Sequence, residues 1–362
     1  MKKILILTAG FGEGHNSAAR GIQAGLRQVA GEHGVRVEVH DLFADTYGEA
    51  NDYVRHGYLS VINNAPRIWA AIYRWLDRER TFSGNFKVFF TVKKRFRELL
   101  GRFEPDAIVS VYPAYPHMLD EMLGPAGKSS CGKRVVVITD SLSVNGIWYR
   151  CSADFFLLPN EQSAAVLHRA GISPSKTLTL GFPVSPEFAE PDGIRFPPSD
   201  ENGRRVLYLI NARRSQATEL VHRLSALPEI QLTVAVGRDQ RLRKAVARMR
   251  PLALHPFRMV GWSEELPRVL RSTHLLISKA GGATVQEAIA AGCPMIVNHV
   301  IPGQEEGNAR YLVQNNSGTI ATSDDAVLRA VRSAFANDAA QWREWSANIA
   351  QLSRPAASLD IA

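Results

Sequence analysis

Short apolar runs alternate with stretches of helical periodicity along most of the chain. A run over 3–8 leads through a glycine-rich turn to a helical pattern over 16–29 and a second strand-like run over 35–40. Further strands fit 107–111, 134–139 and 155–158. A proline-rich, charged stretch, PVSPEFAEPDGIRFPPSDENG, then breaks the rhythm as linkers do. The alternation resumes with strands over 206–210, 231–236, 257–260, 275–278, 295–298 and 317–321. Between them lie helices over 216–227, 240–249, 283–291 and 304–314. Strands alternating with helices predict parallel α/β architecture. The expected organisation is a first domain over 1–183, a linker over 184–203 and a second domain over 204–336. A C-terminal helix over 337–362 is a candidate to pack back on the first. Two doubly wound domains facing across a cleft would place ligands at the carboxyl ends of their strands.

Length agrees with this division, since 362 residues at roughly 100–200 per domain give two. Charged residues at 22% and hydrophobic residues at 45% are ordinary for a globular chain and exclude collagen, coiled coil and disorder. The three cysteines, Cys131, Cys151 and Cys293, form no CxxC and no zinc spacing, so buried thiols in a reducing compartment are expected. The opening MKKILIL run is too short for a membrane span, and no other run approaches the roughly 18 residues one needs. The expectation is a protein that visits a membrane surface at most.

The net charge of +8 has a location. Eleven Lys and Arg stand against four acids over 51–102, and ten of the thirty aromatics share that segment. Trp69 and Trp75 lie among its aromatics, and Lys93, Lys94, Arg95 and Arg97 form its densest cationic run. Aromatics seat at headgroup level while cations meet anionic lipid, so the segment is a candidate membrane contact. The other reading is a helical insertion with its aromatics in the core and its cations in water. No helix-turn-helix, RRM or zinc pattern supports nucleic acid as a partner.

The sharpest motif is SKAGGATVQEA. A strand ends, Gly281 and Gly282 let the backbone approach closely, and a helix begins at Ala283 and Thr284. Free amides and the dipole of such a helix start suit a diphosphate. Glu287, one to two turns on, can accept both hydroxyls of a ribose. After the next strand, PGQEEGN places Gln304 and Glu305 at a helix start, where they can offer an amide and a carboxylate to a polyhydroxylated ligand or act as a capping turn. In the first domain GFGEGH is not the dinucleotide fingerprint, because its glycines fall at every second position before His15; Gly12 and Gly14 are candidates to give the loop room for a UDP-sugar. Neutral imidazole is a suitable general base near pH 7. Asp140, at the end of the RVVVITD strand, is a second titratable candidate for catalysis that either faces the cleft or only caps the next turn.

On these residues the sequence resembles the GT-B glycosyltransferases of the family that holds monogalactosyldiacylglycerol synthases and processive diacylglycerol glucosyltransferases, with the lipid II synthase MurG more distant. The similarity spans nearly the whole chain, including ILILTAGFGEGHNSAARGI, LGFPVSPEF, VGW and SKAGGATVQEAIAAGCPMIVNHVIPGQEEGNARYL. The resemblance implies a GT-B fold and an inverting transfer of a hexose from a UDP-sugar to a hydroxyl, with no cofactor and no metal. It implies that Gly261 and Trp262 lie beside the uracil, that Gly281, Gly282, Ala283 and Thr284 hold the diphosphate and that Glu287 holds the ribose. Gln304 and Glu305 would hold the donor sugar with Asn308 nearby, and His15 would be the base toward the acceptor. Together with the basic segment, it points to a membrane lipid such as diacylglycerol at the cytoplasmic face of the cell membrane. A UDP-N-acetylglucosamine epimerase, a transferase to another acceptor, or a silent binding module are the competing readings. Two departures stand out: the stretch after Asp140 lacks the family's frequent His, and Asn211-Ala212-Arg213-Arg214 replaces a loop that usually contains glycine.

Overall fold

The computed structural model describes residues 1–48, 89–126, 131–140, 144–190, 197–199, 203–261, 265–301 and 305–362. The chain forms two units, each with its own parallel sheet. The first comprises Met1–Pro186 with Ile301–Gly307 and Ala356–Ala362, the second Glu187–Val300 with Asn308–Pro355.

In the first unit β1 (Lys2–Leu7), β2 (Val35–His40), β3 (Ala107–Ser110), β4 (Lys133–Val137), β5 (Phe155–Leu158) and β6 (Thr177–Thr179) pair in parallel in the order β2-β1-β3-β4-β5-β6. Helices α1 (Glu13–Gly34), α2 (Leu42–Tyr47), α3 (Phe90–Phe103), α4 (Ala114–Leu123) and α5 (Glu161–Arg169) accompany them. Leu5, Ile6 and Leu7 of β1 are all fully buried, as a parallel strand covered on both faces requires. The order reverses between β1 and β3, and that reversal opens a crevice at the carboxyl ends of those two strands. The β1–α1 loop at this point is tied down from two sides. The Gly10 amide donates to Asp41 Oδ2 at 2.7 Å, while Asp41 Oδ1 caps α2 through the amides of Phe43 and Ala44. The buried Tyr115 hydroxyl donates to the Thr8 carbonyl at 2.8 Å and accepts from the Leu42 amide at 3.0 Å.

The basic aromatic segment is described only from Phe89 onward, so Trp69 and Trp75 lie outside the described residues. Its last part, α3, is amphipathic. Val92, Phe96, Leu99, Leu100 and Phe103 pack into the core beside Phe43 and Tyr115, whereas Phe90, Lys94, Arg95 and Arg97 are exposed. Lys93 departs from the sequence expectation. It is buried, and its ammonium meets Glu121 Oε2 at 2.7 Å, because the same 3.6-residue period that points Phe96 inward turns Lys93 toward α4. It cannot face lipid, and of the Lys93–Arg97 run the cations at the surface of α3 are Lys94, Arg95 and Arg97.

The second unit holds β7 (Arg205–Leu209), α6 (Arg214–Ser225), β8 (Gln231–Ala235), α7 (Gln240–Met249), β9 (Arg258–Val260) and α8 (Leu266–Ser272). There follow β10 (Leu275–Lys279), α9 (Gly282–Ala290), β11 (Met295–His299), α10 (Glu306–Gln314), β12 (Gly318–Ile320) and α11 (Asp324–Leu352). Its all-parallel order, β12-β11-β10-β7-β8-β9, reverses between β7 and β10. This is the doubly wound order of dinucleotide-binding sheets.

The chain ends distribute differently from the sequence expectation. Helix α11 breaks at Ala336–Ala339, yet Ala339, Trp342, Trp345 and Ile349 at and beyond the break are buried, the first three in the second unit's core. The Trp342 indole donates to the His274 carbonyl at 2.6 Å. Only the last helix, α12 (Ala357–Ile361), lies in the first unit, against α1. The expected linker also begins as packed chain. Val184 and Phe188 are buried, and Arg271 donates to the Glu187 carbonyl at 3.1 Å. Apolar side chains and a guanidinium contact hold what proline content alone predicts as loose.

Candidate active site

His15 sits in the first turn of α1, at the crevice between β1 and β3. Its ring meets Tyr112 edge-on with centroids 5.2 Å apart, and Trp148 at 5.9 Å. Thr139 Oγ1 lies 3.3 Å from Nδ1, and the Val111 backbone accepts a hydrogen bond from the ring. Three consecutive strand ends, those of β1, β3 and β4, thus converge on one imidazole. Desolvation lowers its pKa to about 4 against the smaller opposing effect of the Val111 bond. His15 is therefore neutral across the physiological range, the state a general base needs.

Asp140 does not reach His15 directly among these contacts. Its Oδ2 accepts from the Trp148 indole at 2.9 Å, and Trp148 packs on His15. The short 3₁₀ turn Gly146–Trp148 is fixed besides by Asn145, whose side chain accepts from the Ile147 amide, and by His117, 2.8 Å from the Ile147 carbonyl. Asp140 is placed as a positioning residue for the aromatic wall, and the sequence reading missed Tyr112, Thr139 and Trp148 as the His15 environment. The position of Tyr112 and Thr139 just past strand ends at the reversal point was the available signal. Gly12 precedes α1 with open space around it, since a Cβ there would find only His15 Cδ2, at 4.0 Å. Gly14 lies within the first turn.

In the second unit Gly281 precedes α9 and no side chain caps that helix start. The amides of Gly282, Ala283 and Thr284 have no partners four residues back within the helix and point outward at the carboxyl end of β10, beside the reversal with β7. The turn is rigidly held: Asn308 Nδ2 donates to the Ala280 carbonyl at 3.0 Å, and the Ala280 amide donates to the His299 carbonyl at 3.1 Å. Asn308 is thus buried beneath the glycine pair and acts by shaping the turn. Glu287 is partly exposed one turn further along α9. Gly261 follows β9, and Arg243 Nη1 lies 3.8 Å from where its Cβ would be, a cation the sequence reading did not place there. Trp262 and Gln304 lie outside the described residues. Glu305 is buried, and its Oε2 accepts from the Ile301 amide at 3.1 Å, so in this structure its carboxylate folds back on its own loop. Among the described residues no three His, Cys, Asp or Glu side chains gather as a metal site would require.

Two doubly wound sheets, one with a buried histidine at its reversal point and one with an uncapped helix start at its own, define the GT-B architecture. Solved structures share the fold: MurG of Acinetobacter baumannii (TM-score 0.60, 14% identity, 100% of this chain and 98% of that one) and a UDP co-structure of Staphylococcus aureus MnaA (0.62, 12%, 99% and 94%). Residues 15–184 match the monogalactosyldiacylglycerol (MGDG) synthase family, and residues 206–352 match the glycosyltransferase family 28 C-terminal domain. The chain is a glycosyltransferase resembling the monogalactosyldiacylglycerol synthase and processive diacylglycerol glucosyltransferase family. It is 27% identical to a probable monogalactosyldiacylglycerol synthase of Glycine max over 99% of this chain and 70% of that protein. It is 24% identical to the processive diacylglycerol beta-glucosyltransferase of Bacillus subtilis over 93% and 88%.

Proposed function

We propose that this enzyme transfers a hexose, with inversion, from a UDP-sugar to the free hydroxyl of a membrane lipid of the diacylglycerol class, at the cytoplasmic face of the membrane. The observation that carries this reading is the neutral His15 at the first sheet's reversal point. It is supported by the uncapped start of α9 and by relatives named for diacylglycerol glycosylation.

In this reaction the acceptor oxygen bonds to the anomeric carbon from the face opposite the leaving group. Its proton passes to His15, and the anomeric C–O bond to the diphosphate breaks to release UDP. A base of this strength takes the proton as the new bond forms rather than before. Charge developing on the diphosphate is met by the α9 amides and dipole, with Lys279 at the end of β10 close in sequence; no metal is invoked. Glu287 is assigned to the ribose and Gln304 with Glu305 to the donor sugar, which requires the Glu305 carboxylate to leave the Ile301 amide.

The test is incubation with UDP-glucose, UDP-galactose or UDP-N-acetylglucosamine and vesicles containing diacylglycerol. UDP release with glycolipid from one donor is expected. Absence of glycolipid with all three, or conversion of a UDP-sugar without acceptor, overturns the reading.

Membrane contact by the first domain rests on α3, whose Phe90 is 67% exposed beside Lys94, Arg95 and Arg97. No helix among the described residues is long and apolar enough to cross a membrane. Replacing those three cations with Gln is expected to weaken binding to anionic vesicles at low salt, and the difference should shrink as salt screens the charges. Flotation across a salt series measures it.

A further inference from the structure

The +7 of the segment over 51–102 hides a second concentration of charge. Residues 238–258 carry seven Lys and Arg against one acid, Asp239, and acids elsewhere cancel them in the total. All seven, Arg238, Arg241, Arg243, Lys244, Arg248, Arg250 and Arg258, are exposed. Helix α7 supplies the row. It contains no acid, its Leu242 and Val246 are buried, and Arg241, Lys244 and Arg248 recur at i, i+3 and i+7, which places them along one exposed line. Like charges so spaced repel one another, so the row costs the folded chain stability unless something anionic lies against it. Asp239, at the start of α7, interacts electrostatically with Arg241, but among the described residues no carboxylate forms an ion pair with Lys244, Arg248 or Arg250, although exposed ion pairs occur elsewhere on the surface.

The chain leaving α7 adds an apolar edge to this row. In Arg250-Pro251-Leu252-Ala253-Leu254-His255-Pro256, Leu252 is 62% and Leu254 68% exposed. Ala253 between them packs against the second domain's core and is extended, so its neighbours turn outward. The loop is not loosely tethered, since the His255 amide donates to the Ser225 carbonyl at 3.0 Å and two prolines restrict it. Two leucines held in water at the end of a cationic row have no counterpart in a nucleic-acid backbone, which offers phosphate but no hydrocarbon. A bilayer interface offers both.

We propose that α7 and the Leu252–Leu254 loop form a second membrane contact, on the donor domain, in which the row of cations meets anionic headgroups and the two leucines enter the acyl boundary. The inference extends the lipid-acceptor reading but is measured separately from it.

The experiment uses the full chain and vesicles of phosphatidylcholine with or without phosphatidylglycerol. At about fivefold per cation, Arg241→Gln, Lys244→Gln and Arg248→Gln together are expected to weaken binding to the anionic vesicles by about 100-fold. Leu252→Ser with Leu254→Ser is expected to weaken it by about tenfold even at high salt. Tryptophan fluorescence of Leu254→Trp should shift to the blue on anionic vesicles, and unchanged melting temperatures show that the variants fold. Parent-like flotation of both multiple variants, or no blue shift, overturns the proposal. So does loss of RNA retention by the Gln variant with vesicle binding intact. Transfer to diacylglycerol in detergent micelles should be unchanged in every variant. If the parent itself makes no glycolipid there, it is the lipid-acceptor reading that fails, and the vesicle result stands by itself.

Discussion

His15→Ala should lower the transfer rate by about 100- to 10,000-fold, the range that a positioned base contributes, while binding of UDP remains at the parent level. The imidazole belongs to the first domain, whereas the glycine turn and α9 belong to the second, so removing it leaves the leaving-group side untouched. Single-turnover rates with a calorimetric measurement of UDP affinity separate the two effects. Unchanged turnover would remove His15 from the reaction and reopen the reading as a binding module. The pH dependence follows from burial: because desolvation lowers the His15 pKa to about 4, the rate should be flat from pH 8 down to about 5 and fall as pH drops through 4. The same shift acts on stability. Between pH 6.5 and about 4 the unfolded chain binds a proton that the folded site excludes, so stability declines as pH falls through that window. His15→Asn should flatten this part of the melting-temperature profile, and an unchanged profile would contradict the burial argument.

Gly21→Ala and Gly25→Ala are expected to destabilise the first domain by about 3 kcal/mol each, because overpacking against backbone cannot relax by rotating a side chain. A Cβ on Gly21 would stand 1.9 Å from the Pro183 carbonyl oxygen, and one on Gly25 would stand 2.1 Å from that of Ser358. Helix propensity argues the reverse, since alanine gains about 1 kcal/mol over glycine inside a helix. The clash outweighs that gain and sets the sign. Gly101 in α3 supplies the control, because a Cβ there meets nothing within 4 Å and the position is exposed. Gly101→Ala should therefore stabilise by about 0.5–1 kcal/mol. Thermal unfolding of the three variants decides the matter, and a Gly25→Ala variant as stable as the parent would mean that α12 is not held against α1 as the structure shows.

Elements with strong apolar runs were legible from residues alone. The strand over 35–40 and the helix over 240–249 coincide with β2 and α7, and strands such as β7 and β10 shift by only a residue. Short or weakly patterned elements were not, as with β6, whose Thr177–Thr179 is only half buried at a sheet edge, and α4, whose first turn contains Pro116. His15 and the glycine pair were legible as candidates because both lie in glycine-rich turns between a strand and a helix, and the structure places those turns after β1 and β10. Tyr112, Trp148 and Arg243 did not, since each reaches its place by a contact with a residue distant in the chain. Lys93 shows the opposite failure: it belongs to the cationic run read as a membrane contact, and burial gave it Glu121 as a partner within the fold.

What the sequence determined by itself was periodicity and local chemistry: two parallel α/β domains, the glycine-rich loop that carries His15, and the turn suited to a diphosphate. These follow from interactions between residues close in the chain, where side-chain type and spacing are sufficient. The tertiary structure alone decided which side chains surround His15 and hence its neutrality, which cations of α3 and α7 face water, and why glycine rather than alanine stands at two positions of α1. Each depends on how far apart non-neighbouring atoms end up, and desolvation and steric overlap change steeply over a few ångströms that no one-dimensional pattern encodes.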